Sequence, residues 1–70
     1  LTRDEIGKLE TYLRGLFRLD TITLHVRAQK DDSVEMQIGE EFVGIVFKDE
    51  DEGELSYHVQ MTILDIDLPE

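Results

Sequence analysis

The chain of 70 residues contains no cysteine, no tryptophan and a single proline. Without cysteine there is no disulfide to staple the fold and no thiol to serve as nucleophile, and the composition suits a reducing compartment. No stretch approaches the ~18 consecutive apolar residues of a membrane-spanning helix. The N-terminus also lacks the basic-then-apolar layout of a secretory signal, so no such signal is expected here. The chain makes one domain, and an unstapled core below about 70–80 residues supplies only about 3–5 kcal/mol of net stability.

Basic residues are almost missing from the back half. Residues 1–30 carry six bases against four acids, a balance of +2; residues 31–70 carry Lys48 alone against thirteen acids, a balance of −12, which together give the −10 of the whole chain. Such a surface repels phosphates and anionic headgroups, so neither nucleic acid nor membrane is expected as a partner, while a basic protein is compatible. An acidic surface is also the ordinary way for a small domain to stay dissolved.

What is present is patterned. "LTRDEIGKLETYLRGLF" predicts a helix over about residues 3–18, opened by Thr2 as cap with Glu5 placed to complete a capping box. Leu1 and Ile6 occupy the two positions of a hydrophobic staple. Ile6, Leu9, Leu13, Leu16 and Phe17 follow the spacing of one apolar face. After that the period drops from 3.6 to 2, and strands are expected at about 21–28, 33–38, 41–48 and 54–63, with a tail at 64–70.

A two-residue turn at Gly39 and Glu40 sets Met36 opposite Val43 and Val34 opposite Ile45. Five-residue loops at Gln29–Ser33 and Asp49–Gly53 then set Val26 opposite Met36 and Ile45 opposite Tyr57. On this register Val43, Ile45 and Phe47 face the core and Phe42 and Val46 face outward. The expected architecture is α+β: an N-terminal amphipathic helix packed on one face of a four-stranded antiparallel meander sheet.

The acidic stretch "FKDEDEGELS" does not fit a calcium loop. With Gly53 at the sixth position, Lys48 takes the first and Val59 the twelfth, and neither is a ligand. It reads as a hairpin tip with Gly53 supplying a positive φ. Its carboxylates, Asp49, Glu50, Asp51, Glu52 and Glu54, are a weak candidate for a loosely held divalent ion.

No catalytic residue is expected. His25 and His58 fall on the sheet face away from the helix but on the first and fourth strands, about 14 Å apart at ~4.8 Å per strand, too far to share a metal. Ser56 and His58 share a face, yet successive same-face positions on a strand lie about 6.5–7 Å apart, beyond the ~3 Å that a nucleophile and its base need. Two surfaces are left over. One is apolar: Phe42 and Val46 with the tail residues Leu64, Ile66 and Leu68, where the alternation flips past Ile63, so that the tail covers its own sheet or packs on a second subunit. The other is the small-residue stripe Gly7, Thr11 and Gly15 with Arg14 and Arg18, which in an antiparallel helix pair would meet Asp4 and Glu5 of the partner.

The segments "KDDS", "IGEEFVGIVF" and "ELSYHVQMTILDIDL", with "LETYLRGLF" before them, resemble a family of short uncharacterised alphaproteobacterial proteins, a domain of unknown function. The resemblance covers nearly the whole chain and implies a free-standing bacterial cytoplasmic protein. It carries over no activity and no catalytic residue. The expectation is a non-catalytic protein–protein interaction module, without cofactor and capable of forming a homodimer. The alternative is a ligand- or divalent-ion-binding module using its acidic hairpin tips.

Overall fold

The computed structural model describes residues 1–28 and 30–69, with the backbone alone for Lys30 and Asp31. Gln29 of the first loop and Glu70 of the tail lie outside the described residues. Helix α1 spans Arg3–Phe17. The capping box forms in both directions: Thr2 Oγ1 accepts the Glu5 N–H at 3.1 Å, and Glu5 Oε1 accepts the Thr2 N–H at 2.9 Å. Each bond satisfies an N–H that would otherwise lack a helical partner. Arg18 ends the helix in the left-handed region at φ 54, and the following Leu19 N–H reaches back 3.0 Å to the Arg14 carbonyl.

Four strands follow: β1 Ile22–Arg27, β2 Lys30–Ile38, β3 Glu41–Asp49 and β4 Ser56–Met61. They pair antiparallel in the order β1-β2-β3-β4, an α+β meander as the alternation predicts. The β2–β3 turn is the two-residue Gly39–Glu40, with φ 56 and 73. Positive φ at both central positions is the turn whose twist suits a tight hairpin.

The register of β3 departs from expectation. Next to the turn Ile38 pairs with Glu41 and Gln37 with Phe42, but the next pair is Met36 with Gly44. Val43 is therefore an extra residue, a bulge, and beyond it the side chains of β3 change faces. Val46, expected on the outward surface with Phe42, is fully buried opposite Val34. Ile45 and Phe47, expected in the core, sit opposite Glu35 and Ser33 on the outer face. The β3–β4 loop is also one residue longer than expected, since Asp49 pairs with Ser56. This second shift cancels the first, so Tyr57, Val59 and Met61 keep the helix-facing orientation that their alternation indicates. In β1–β2 the slip from Ile22 to Val26 is by two residues, with Val26 opposite Val34 and no change of face, and a second irregularity follows where Arg27 pairs with Lys30.

The core is small. Among the described residues its fully or nearly buried apolar members are Leu13, Ile22, Leu24, Val34, Met36 and Val46. Helix α1 lies closest to β1 and leaves the β4 side of its sheet face uncovered. Leu16 and Phe17, on the apolar stripe of the helix, remain 61% and 54% exposed as a result. The molecule is elongated, 44 × 24 × 23 Å, with a radius of gyration of 13.0 Å against about 11 Å for a compact chain of this length.

Gly44 is buried where β3 and β4 approach: an added Cβ would run into the Gln60 carbonyl and lie 3.0 Å from Met61 Cγ. A backbone carbonyl held in a ladder cannot move aside cheaply, so Gly44→Ala should destabilise by about 1–3 kcal/mol. At Gly7 nothing lies within 4 Å of a Cβ, and Gly7→Ala should stabilise by up to about 1 kcal/mol through helix propensity. Urea denaturation of the two variants beside the parent checks both signs.

Candidate functional site

The offset of α1 leaves a groove of about 790 Å³ between the helix and the β3–β4 hairpin. Leu9, Tyr12, Leu13, Leu16 and Phe17 form one wall, since residues three and four apart share a helix face. Val46 and Val59 form the floor, with Leu55 and Tyr57 toward the hairpin tip. The lining is apolar and largely accessible: Tyr12 is 64% exposed, Leu55 53% and Val59 42%.

One end is closed by a charged knot. Glu5 Oε2 accepts the Tyr57 hydroxyl at 2.8 Å and pairs with Lys48 Nζ at 2.8 Å, while its other oxygen serves the helix cap. Lys48 reaches it because the bulge turns alternate β3 residues toward the helix. Held by the Lys48 ammonium first, then by the Thr2 amide and the Tyr57 hydroxyl, the Glu5 carboxyl titrates at about 2 rather than 4.5. Lys48 is pushed up by its bond to Glu5, and Tyr57 is pushed up by the same carboxylate and by desolvation.

Helix α1 is also tied to the β1 edge. Glu10 Oε2 accepts the Leu24 N–H at 2.9 Å and Arg14 Nε donates to the Ile22 carbonyl at 2.8 Å. The two side chains pair with each other at 3.0 Å. Arg14, expected on a helix-pairing surface with Gly7, Thr11, Gly15 and Arg18, is therefore engaged within its own chain. The other four remain exposed, Gly7 and Thr11 in a shallow depression beside Tyr12.

The apolar surface expected from the sequence comes apart. Val46 belongs to the core, while Phe42, Leu64, Ile66 and Leu68 are 55%, 53%, 86% and 53% exposed. The tail makes one short turn at Asp65–Asp67, and Asp67 with Ile63 borders a small cleft near Phe42. Among the described residues it leaves Phe42 more than half exposed. The groove itself had a sequence signal, the accessible Tyr12 beside Leu16 on the helix stripe, but its openness depends on where the helix sits.

Ser56 and His58 are closer than strand spacing indicates: Ser56 Oγ lies 3.3 Å from His58 Nε2, because the imidazole reaches along the strand. Asp49 Oδ2 also lies 3.3 Å from the same Nε2. A relay needs the acid and the hydroxyl on opposite ring nitrogens, so the three do not form one. The ring stacks on Phe47, centroids 5.2 Å apart. His25 bonds Thr23 at 2.8 Å on the far strand. At the acidic tip Glu50 turns to Lys48 at 3.6 Å and Asp49 to His58. Among the described residues no three potential ligands converge as a metal site. No helix among them is long and apolar enough to cross a membrane.

Glu5 gives the fold a pH signature. A carboxyl lowered on folding contributes stability above about 4.5 that is lost as pH falls toward 2. Raised Lys48 and Tyr57 contribute below their ordinary values of 10.5 and 10.0 and lose that contribution as pH rises through the raised ones. Glu5→Gln should lower stability at neutral pH and flatten the decline between pH 4.5 and 2. Thermal melts across that range, variant against parent, check it.

No curated protein and no solved structure matches the chain. Residues 5–67 match a family described as "Protein of unknown function (DUF3126)". With the match running from the capping-box glutamate through β4 into the tail, the chain belongs to that family.

Proposed function

We propose that the chain is a non-catalytic protein–protein interaction module that self-associates, working in the bacterial cytoplasm. The observation that carries this is the open apolar groove. Among the described residues twelve large apolar side chains are exposed against six apolar residues in the core. A soluble monomer seldom leaves contiguous apolar patches of more than a few hundred Å² uncovered. Tyr12, Leu16, Phe17, Leu55 and Val59, each about half exposed, offer on the order of 500 Å² of side-chain surface. The backbone around them brings this toward the roughly 800 Å² per partner of a standard interface.

A small-molecule site is the weaker reading of the same groove. Its volume lies within the usual range of about 300–1,000 Å³, but such sites enclose about 70–90% of their ligand. Here the walls themselves are half exposed, and the charged groups gather at one end. A larger flat partner suits that shape better.

Light scattering at tens of micromolar protein should give twice the chain mass of 8.1 kDa. Leu16→Asp should return the mass of one chain with an unchanged circular dichroism spectrum, since the side chain is already mostly exposed. Losing two buried leucines per dimer, at about 1.5–3 kcal/mol each, weakens association a hundredfold or more. A parent protein with the mass of one chain would refute self-association.

A further inference from the structure

We propose that a second copy of the chain docks along β4, so that two sheets join into one of eight antiparallel strands. This rests on the self-association reading above and specifies its surface. The first observation is an asymmetry between the two edges of the sheet. At β1 the outward Leu24 N–H and Ile22 carbonyl are already bonded to Glu10 and Arg14. Strand β4 has β3 as its single neighbour, and among the described residues no side chain bonds its outer backbone.

The second observation is what that edge lacks. Natural sheets protect an exposed edge with charge, proline or a bulge. Residues 55–64, "LSYHVQMTIL", contain no Asp, Glu, Lys, Arg or Pro, in a chain where 34% of residues are charged. The strand left open is thus the least defended stretch of the molecule.

The geometry also selects a register. Antiparallel strands alternate residues that bond one neighbour with residues that bond the other. The backbone N–H and C=O groups of Ile22 and Leu24 are directed away from β2, so those of Thr23 and His25 bond β2. It follows that Val34 and Met36 bond β3 at Val46 and Gly44, and that Ile45 and Phe47 bond β4 at Gln60 and His58. Tyr57, Val59 and Met61 therefore present their N–H and C=O groups to the free edge. The side chains of Tyr57 and Val59 line the groove, and Met61 follows them on the same face of the strand.

A two-fold axis at Val59 sets it opposite the partner's Val59 and sets Tyr57 opposite the partner's Met61. All three pairs are hydrogen-bonded and apolar, and no charged residue of the strand faces another. The two helices then lie on the same face of the joined sheet, and their grooves meet over the axis. The exposed wall of Tyr12 and Leu16 gains a counterpart there.

Val59→Lys tests this at physiological ionic strength, where a Debye length of about 8 Å mutes the net charge of each copy. The variant places two ammonium groups at the axis, while the 42% exposure of Val59 leaves room for one in a lone chain. The expected result is at least a hundredfold rise in the dimer dissociation constant, measured by sedimentation. Amide exchange on the parent supplies an independent reading that needs no variant. In the joined sheet the Tyr57, Val59 and Met61 amides are protected as strongly as those of His58 and Gln60, and in a lone chain they exchange at least tenfold faster. A parent dimer in which those three amides exchange fast, or one that Val59→Lys leaves intact while folded, overturns the β4 contact and keeps self-association. A parent that is monomeric overturns both.

Discussion

One extra residue in β3 governs the arrangement of the whole molecule. With Val43 bulged, Gly44, Val46 and Lys48 turn toward the helix, and Ile45 and Phe47 turn away. A strand without the bulge would offer the helix Ile45 and Phe47 and would send the lysine to the opposite face. Val46 fills the floor of the core, Gly44 lets β4 come close, and Lys48 finds Glu5. Packing, strand spacing and electrostatics thus share a single backbone irregularity, which is why a bulge in the middle of a sheet is better read as design than as defect.

Glu5 converts that irregularity into the placement of the helix. Its carboxylate holds the first turn of α1 through Thr2, and holds the turn against the β3–β4 hairpin through Lys48 and Tyr57. One turn and a half further along, Glu10 and Arg14 fasten the same helix to the backbone of β1. Pinned at its N-terminal end to one side of the sheet and along its length to the other, the helix crosses obliquely. The groove is what an oblique helix leaves uncovered. It is a geometric consequence of polar fastenings, and the apolar residues that line it could not by themselves have produced it.

Much of this was legible in the residues. The capping box, the change of period from 3.6 to 2, the two-residue turn and the hairpin tip at Gly53 are local signals, and each led to the element it implies. The faces of β3 were not legible by counting parity, because "EFVGIVF" is apolar at every position but Glu41 and Gly44. A glycine within a strand can mark a bulge or a close backbone approach, and Gly44 here marks both, but it gives no means of knowing on which side the extra residue falls. The fate of Leu16 and Phe17 was hidden for another reason. Helical periodicity says which side chains share a stripe, and it says nothing of how far the opposing sheet extends beneath them. The Ser56–His58 contact was missed because Cα spacing understates what a long ring can reach.

The fastening of β1 by Glu10 and Arg14 carries a further consequence. A sheet with two receptive borders can be extended without limit, each newcomer offering a fresh border to the next, and fibres arise in that way. Here side chains of the same chain already hold the Leu24 N–H and the Ile22 carbonyl on one border. A strand arriving at that border would first have to displace Glu10 and Arg14 from the backbone they hold. A small, highly charged chain with a modest core thereby makes the two margins of its sheet unequal, and chain-by-chain extension would meet resistance at one of them.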